Sequence, residues 1–458
     1  MFNFRAKIFI LLIFIVSYFP IIEAQPVEIK NSAEIYTSLQ KLKVLGSVLY
    51  IAAHPDDENT GMIAYLSKGK KFRTAYLSLT RGDGGQNLIG SEKGNAIGII
   101  RTQELIEARK IDGGEQYFTR AVDFGYSKSA DETFNIWNKE EVLADVVWVI
   151  RDFKPDIIIT RFPPGESGGH GHHTASAILA LEAFHKAADP NSFKEQLQYV
   201  EPWTTKRIFW NSWRPTQDEI QKLIGLDIGE YDHHLGKSYT EISAESRSMH
   251  KSQGFGATPS RGSRIDYLKF IDGEPVINDY LDGINISWSR INNGEQIEKR
   301  IEKIISSYNH SNPSESLNLL IELYKELNKL GNNYWADVKK KELIGIIKSS
   351  AGLWLEAIAS DYSSAPGYDV NVKTTIINRS SNKFKVNKIE FPNLQYNSSF
   401  DSKLEYNIPF SYENKISIPD NFPFSQPYWL IDEPSIGLFA TPEQTMIGMA
   451  ENSPTIPV

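Results

Sequence analysis

A short run of ionisable residues directly follows an apolar segment early in the chain. The run is His54-Pro55-Asp56-Asp57-Glu58. The preceding residues 44–53, VLGSVLYIAA, are typical of a strand buried on both faces of a parallel sheet. A turn fixed by Pro55 lets His54 and Asp57 converge with Asp56 beside them, which predicts two metal ligands and an adjacent base. The alternative is an ordinary helix start, because acidic side chains also suit the positive end of a helix dipole.

A second cluster of potential metal ligands lies in a Gly-rich segment farther along the chain. It reads Gly168-Gly169-His170-Gly171-His172-His173 and holds three of the nine histidines. Because the sequence has no cysteine, any metal must be held by His and carboxylate side chains. A catalytic zinc site needs three protein ligands and an open position, and His54, Asp57 and one of these histidines would supply that set. The alternative is a solvated His-rich loop without a ligand role.

Both clusters are predicted to lie at one edge of an α/β sheet. Apolar or alternating segments predict strands at residues 44–53, 72–80, 156–160 and 206–211. Helical patterns predict helices near residues 58–69, 97–111, 139–153 and 174–188. Strands that alternate with helices indicate a Rossmann-like, open, mostly parallel sheet, whose ligands bind at the carboxyl ends of its strands. We therefore expect the two clusters to meet there.

Composition and pattern divide the chain into a leader and three further parts. Residues 1–24 are expected to be a signal peptide and residues 25–290 the α/β domain. A helical segment is predicted over residues 291–365, because apolar residues recur there at helical spacing. Residues 366–458 are rich in short alternating strands, which indicates a β-sandwich-like module, and an incomplete module fits this pattern as well as a complete one.

The leader predicts export. Arg5 and Lys7 precede an apolar run that ends at Ala24, as in a secretory signal peptide. A membrane anchor is the alternative, but Pro20 interrupts the run, which is short for a span of about 20 residues. We therefore expect a periplasmic or extracellular protein with no stable membrane anchor after cleavage.

The overall charge argues against a nucleic-acid partner. The 458 residues carry a formal net charge of −8, without a Lys/Arg-rich run. The expected partner is a small-molecule or glycan substrate. No feature of the sequence sets the oligomeric state.

These motifs resemble the PIG-L, or LmbE-like, family of zinc-dependent deacetylases over about residues 44–256. The first motif matches the family's metal motif at all five positions, and Thr80-Arg81-Gly82-Asp83-Gly84-Gly85 is similar to its Gly-rich turn. Arg101 with Glu104 resembles a substrate-contacting Arg and its neighbour, although a surface helix Arg is the alternative. The stretch Tyr239-Thr240-Glu241 with SRSMHKSQGFG resembles a large bacterial subgroup whose members add a C-terminal β-rich region.

The resemblance implies a role for several residues. His54, Asp57 and His173 are similar to the metal ligands and Asp56 to the general base, while His170 resembles a transition-state stabiliser or acid. The family's second motif usually reads His-Pro-Asp-His. The segment His170-Gly171-His172-His173 keeps that spacing but lacks the Asp.

The function implied is the removal of an acetyl group from an N-acetylated amino sugar or glycoconjugate. The cofactor expected is Zn²⁺, with Fe²⁺ possible because both ions bind His/carboxylate sites. One alternative is a zinc amide or ester hydrolase that acts on a non-sugar substrate. Another is a secreted carbohydrate-binding protein without turnover, but that interpretation gives Asp56 no role.

Overall fold

The computed structural model describes residues 29–165, 168–254 and 256–458, so the predicted signal peptide lies outside the described residues. Two units make up the described chain. The larger consists of Lys30–Ser350 and Phe424–Pro457, and the smaller contains Ala351–Pro423. Among the residues that the structure describes, no helix combines the length and apolar character needed to cross a membrane.

Nine strands belong to the larger unit. They are β1 (Ser47–Ala52), β2 (Arg73–Thr80), β3 (Glu115–Ala121), β4 (Ile157–Thr160), β5 (Arg207–Ser212), β6 (Ile224–Asp227), β7 (Tyr231–Asp232), β8 (Lys237–Ser238) and β9 (Ile265–Gly273). Seven of them form the main sheet in the order β3-β2-β1-β4-β5-β9-β6, and β7 pairs with β8 separately. The first five strands of this order are parallel, while β9 runs antiparallel to both β5 and β6. The expected α/β, mostly parallel sheet is confirmed.

Eleven α-helices also lie in the described part of the larger unit. They are α1 (Ser32–Lys41), α2 (Thr60–Ala64), α3 (Asn95–Asp112), α4 (Ala130–Trp137), α5 (Lys139–Phe153), α6 (Gly171–Lys186), α7 (Gln217–Ile220), α8 (Tyr239–Arg247), α9 (Gly294–Ser306), α10 (Leu317–Asn328) and α11 (Tyr334–Ser350). A π-helical turn, Tyr65–Gly69, continues α2. The helix predicted near residues 58–69 is thus present in two parts.

Strand β1 is buried on both faces of the sheet. Leu49 and Ile51 contact the cluster that contains apolar residues of α5 and α6. Val48 and Tyr50 point to the opposite cluster, which includes Met62 of α2. Both faces are therefore covered by helices, as expected for a strand that is apolar at successive positions.

The order of the strands places a crevice beside β1. The chain passes from β1 outward to β2 and β3, then returns to β4 on the other side of β1. Connections after β1 and β4 therefore diverge, and this reversal is where open α/β sheets bind ligands. His54 follows β1, and the three clustered histidines follow β4.

Three strands of the main sheet, β3, β6 and β9, lie where the sequence predicts none. Strand β3 is an edge strand with only Phe118, Thr119 and Ala121 buried, and β9 buries only Leu268. Such half-exposed strands lack the long apolar run by which β1 is recognised.

The edge strand β3 is covered by residues from the end of the larger unit. The Phe118 N–H donates to the Gly448 carbonyl at 3.2 Å, and the Phe439 N–H donates to the Arg120 carbonyl at 2.8 Å. The indole N–H of Trp148 donates to the Ile447 carbonyl at 2.8 Å. We call Phe424–Pro457 the C-terminal strap. It occupies backbone groups of β3 that an edge strand otherwise leaves unpaired.

The smaller unit consists of antiparallel sheets. Its strands are β10 (Leu353–Ala359), β11 (Asp369–Asn378), β12 (Phe384–Phe391), β13 (Tyr396–Leu404) and β14 (Phe410–Ser417). One sheet has the order β10-β11-β14, and the other pairs β12 with β13. The short alternating strands predicted in this region are thus present.

The predicted helical segment is wrong at its end, because residues 353–359 form strand β10. The residues LWLEAIA include good helix formers, but β10 pairs with β11 along its whole length, from Leu353 opposite Asn378 to Ala359 opposite Val372. Tertiary pairing outweighs the weak intrinsic preference of these residues.

Candidate functional site

The first motif folds into a tight turn at the end of β1. The His54 N–H donates to Asp57 Oδ2 at 2.8 Å, and His54 Nδ1 lies 3.0 Å from the same oxygen. From the neighbouring strand β2, the Tyr76 hydroxyl donates to the His54 carbonyl at 2.5 Å. These bonds hold His54 and Asp57 side by side.

The second motif begins helix α6. His170 caps the helix, and its Nδ1 accepts the His172 N–H at 3.1 Å. His173 lies in the first turn, with Nδ1 3.0 Å from the Gly168 carbonyl and its ring stacked 3.8 Å from that of Phe162. Its free nitrogen, Nε2, lies 3.5 Å from Asp57 Oδ1.

The structure brings His54, Asp57 and His173 together. One potential ligand atom from each lies within 4.8 Å of those of the other two. Two imidazoles and one carboxylate form the kind of three-ligand set that a catalytic divalent metal uses with an open position. The residues present therefore fit such an ion, and the ligand roles stay predictions.

The protonation states of these three side chains determine how they can bind a cation. Burial would lower the pKa of His54, but the Asp57 carboxylate raises it to about 9. The pKa of Asp57 is lowered because the charge of His54 overcomes its burial. Burial lowers the pKa of His173, which leaves that ring neutral with a free lone pair. A metal would compete with the proton that His54 shares with Asp57.

Asp56 faces the same cavity in a strained backbone conformation, with φ of 96°. Arg247 of α8 donates one N–H to the Asp56 carbonyl, and its other terminal nitrogen lies 3.4 Å from Asp56 Oδ2. Burial, then the charge of Asp57, raises the pKa of Asp56 to about 6, although Arg247 opposes the shift. A carboxylate that titrates near neutral pH is suited to take up a proton.

The Glu58 carboxylate holds the backbone of Asp56 in place. The Asp56 N–H donates to Glu58 Oε2 at 2.9 Å. The other oxygen, Oε1, lies 2.8 Å from His250 Nε2 and 3.3 Å from an Arg109 terminal nitrogen. Burial opposes ionisation, but His250 and then Arg109 lower the pKa of Glu58 to about 2. Sequence reasoning assigned no role to His250, and the only signal for it is its place in the stretch SRSMHKSQGFG.

The cavity at this edge has a volume of about 470 Å³. Its wall opposite the two motifs comes from the Gly-rich turn and from the loop after β3. The residues that line it are His54, Asp56, Asp57, Gly84, Gly85, Gln86, Leu88, Arg101, Asp123, Gly125, Tyr126, His170, His173 and Gln253. All five residues predicted to act in catalysis or metal binding line it, as does the predicted substrate-contacting Arg101.

Arg101 is held behind the Gly-rich turn. A terminal nitrogen donates to the Gln86 carbonyl at 2.7 Å, and the residue is only 5% exposed. A Cβ at Gly85 would lie 2.2 Å from the guanidinium, so a larger residue there would displace the Arg101 side chain. Arg101 is therefore not a free surface residue.

Asp123 and Tyr126 are cavity residues that sequence reasoning missed. They follow β3, the strand that the sequence pattern does not reveal. The Asp123 N–H donates to Asp83 Oδ2 of the Gly-rich turn at 3.1 Å. The ring of Tyr126 meets that of His170 edge-on, with centroids 5.0 Å apart.

His172 stands where the related motif has Asp. Its ring is stacked on Trp137 at 4.6 Å and meets Phe124 edge-on at 4.4 Å. Its Nδ1 lies 2.9 Å from His54 Nε2. A buried neutral imidazole thus contacts the second nitrogen of His54, where metal-bound histidines usually meet a carboxylate, carbonyl or water.

Residues 49–184 match the family model described as PIG-L, GlcNAc-PI de-N-acetylase. This segment is similar to the PIG-L family. It contains both motifs, the Gly-rich turn and Arg101.

Curated relatives are similar to part of this chain. The 1D-myo-inositol 2-acetamido-2-deoxy-alpha-D-glucopyranoside deacetylase of Streptomyces scabiei is 28% identical over 185 residues, which is 36% of this chain and 55% of the relative. The protein of the same name from Rhodococcus erythropolis is 30% identical over 183 residues, which is 36% of this chain and 60% of the relative. The chain thus spans less than two thirds of these relatives.

Solved structures also align with part of the chain. N,N'-diacetylchitobiose deacetylase from Pyrococcus horikoshii is 20% identical, with 56% of this chain and 81% of that chain covered and a TM-score of 0.35. The 4-carboxy-2-hydroxymuconate hydratase from Pseudomonas putida KT2440 is 18% identical, with 51% and 99% covered and a TM-score of 0.35.

Proposed function

We propose that this protein is an exported, zinc-dependent hydrolase that removes the acetyl group from an N-acetylated amino sugar or glycoconjugate. The observation that carries the proposal is the convergence of His54, Asp57 and His173 beside Asp56 in a segment similar to the PIG-L family. The deacetylase names of the curated relatives support the reaction type. Export rests on the leader alone.

In this proposal, His54, Asp57 and His173 hold the metal. A bound divalent ion supplies Lewis acidity toward the amide carbonyl and lowers the pKa of water. Asp56 takes the proton of the attacking water, because its raised pKa places it near neutrality and it lies in the same cavity. The protonated Asp56 can then return that proton to the departing amine nitrogen.

His170 serves as a hydrogen-bond donor to the developing oxyanion. Burial, then the charge of His54, lowers its pKa to about 4, so the ring is neutral at pH 7. Its Nδ1 accepts the His172 N–H, which places the single ring proton on Nε2. A fixed donor of this kind favours a transition state whose oxygen gains negative charge.

The test of the proposal is acetate release by the purified protein from a panel of substrates. We expect release from N-acetylglucosamine-containing saccharides, no activity after treatment with a chelator, and recovery with Zn²⁺. N-acetylated amino acids serve as non-sugar amide controls and should react poorly. Full activity in metal-free protein would refute metal dependence. Activity confined to the amino acids would favour the non-sugar amidase.

A further inference from the structure

A second cavity lies beside the contact between Asp56 and Arg247. It has a volume of about 260 Å³, and Arg247 lines it together with Glu58, the residue that anchors Asp56. Asp56 itself lines the first cavity. A group bound in the second cavity would therefore lie one side chain away from the candidate catalytic carboxylate.

The charge of the second cavity is positive. Arg161, Arg247 and Arg264 line it, against two acidic residues. Glu58 is buried and paired with Arg109 and His250, so its charge is already compensated.

The second acidic residue, Asp266, is also restrained. Its carboxylate accepts a hydrogen bond from Asn59. Burial raises the pKa of Asp266, although Arg264 and Arg161 oppose that shift. Arg247 is itself paired with Asp56, so Arg161 and Arg264 supply the positive charge inside the cavity.

Polar donors and an aromatic ring complete the cavity. The hydroxyl side chains that line it are Thr60, Ser212, Thr240, Ser243, Thr258 and Ser260. At its mouth Trp213 is 66% exposed, with the guanidinium of Arg161 5.8 Å from its ring centroid. An exposed indole beside hydroxyl donors fits the apolar face and hydroxyl groups of a sugar ring.

We propose that this cavity binds an anionic group, carboxylate or sulfate, carried by a sugar residue next to the N-acetylated one. The inference rests on the proposed function, and it narrows the substrate class to acidic glycans. Guanidinium groups make paired, charge-assisted hydrogen bonds to such anions.

Binding and turnover test the inference with three disaccharides that share an N-acetylglucosamine residue. The second residue is neutral in one, a uronic acid in the next and a sulfated sugar in the third. We expect at least one acidic disaccharide to bind about tenfold more tightly than the neutral one, and more weakly as salt is raised. The acidic compound that gains affinity identifies the anion. Equal affinity for all three would overturn the inference.

Variants of the arginines that line the second cavity test where the acidic disaccharide binds. The double variant Arg161→Gln/Arg264→Gln should remove the preference for the acidic disaccharide through KM, with kcat on the neutral one unchanged. Arg214→Gln is the matched control. The Arg214 guanidinium lies over the ring of Trp213, 4.7 Å from its centroid, but Arg214 does not line the cavity. An equal effect of the control would refute a local site in favour of general surface charge.

Calorimetric titration separates this inference from the proposed function. If no disaccharide releases acetate, the deacetylase proposal fails. Tight binding of an acidic disaccharide that is lost in the double variant would still support the cavity. If the double variant unfolds, the exposed single variant Arg264→Gln replaces it, and an unchanged preference in a folded Arg264→Gln protein counts against the site.

Discussion

Asp56 and Asp57 are chemically identical neighbours in different environments. Asp57 is buried against His54 and His173, which lower its pKa and make it a permanent anion. Asp56 is held by Arg247 and titrates near pH 6. Their roles therefore depend on the turn after β1, in which Asp56 adopts a positive φ.

Changing each of these residues to Asn should give different defects. Asp57→Asn removes an anionic ligand, so we expect loss of metal and of activity. Asp56→Asn removes only the proton acceptor, so metal should stay bound while turnover falls by about 10²–10⁴-fold. Metal analysis and acetate release on both purified proteins measure the difference. Metal loss in Asp56→Asn with retention in Asp57→Asn would mean that the roles are exchanged.

Asp83 in the Gly-rich turn should make stability depend on pH. Burial, then repulsion by Asp123, raises its pKa from 3.8 to about 7, and Oδ1 has no hydrogen-bond partner among the described residues. A raised pKa means that the folded protein holds the proton more tightly. The stability contributed by this proton is present below about pH 4 and is lost as the pH rises to 7.

The variant Asp83→Asn should therefore match the wild type at low pH and exceed it at pH 8, by about 1–4 kcal/mol. Thermal or denaturant unfolding across this pH range is the measurement. The exposed Asp361→Asn variant is the control and should show no such trend. A constant difference at all pH values would exclude titration of Asp83 as the cause.

Both candidate motifs could be recognised from the sequence, because His54 and Asp57 closely follow the apolar strand β1 and three histidines lie together in the segment after β4. The contacts that shift the pKa values of the motif residues could not be predicted from the sequence. Glu58, Arg109 and His250 meet only through the packing of α3 and α8 against α2, and they are far apart in the sequence. No local pattern specifies these contacts.

The second motif can form the start of helix α6 because the first residue of the helix is Gly171. A Cβ at Gly171 would lie 2.2 Å from Ser127 Oγ and 2.4 Å from the Ser129 carbonyl. Since backbone cannot yield easily, a larger residue must displace the start of the helix. His172 and His173 lie in that same turn.

We expect Gly171→Ala to lower stability by about 1–3 kcal/mol and to weaken metal binding. Unfolding of the metal-free protein and a metal titration measure the two effects separately. Gly165→Ala is the matched control in the same loop, because a Cβ there meets nothing within 4 Å. Unchanged metal affinity in Gly171→Ala would show that the helix start does not position His173.

The strands that are buried on both faces could be predicted from the sequence, whereas the edge strand β3 could not. Residues of β1, β2, β4 and β5 are nearly all buried, so apolar runs reveal them. Strand β3 has only partly buried residues besides Phe118, Thr119 and Ala121, and its cover comes from the distant C-terminal strap. Asp123 and Tyr126 follow β3, so their place in the cavity was also hidden.

In the larger unit, the strap holds the Gly-rich turn through Arg81. This guanidinium donates to the Ala450 carbonyl at 2.9 Å and the Met449 carbonyl at 3.0 Å, and it stacks 3.4 Å from the ring centroid of Trp429. Arg81 is only 1% exposed, so these contacts compensate a buried charge.

Trp429→Ala should therefore cost about 3–5 kcal/mol of stability and raise KM, because the turn that frames the cavity loses its support. Phe424→Ala is the matched control, since Phe424 belongs to the same strap but is 81% exposed. Unfolding and steady-state kinetics measure the two effects. A destabilised variant with unchanged KM would mean that the strap stabilises the fold without positioning the turn.

The pairing of Phe118 with Gly448 also has a consequence for how the protein is made. During synthesis β3 leaves the ribosome long before the strap does, so the nascent sheet has an open edge until the last part of the chain is translated. An open edge can pair with another chain. A holding chaperone would protect this chain during that interval.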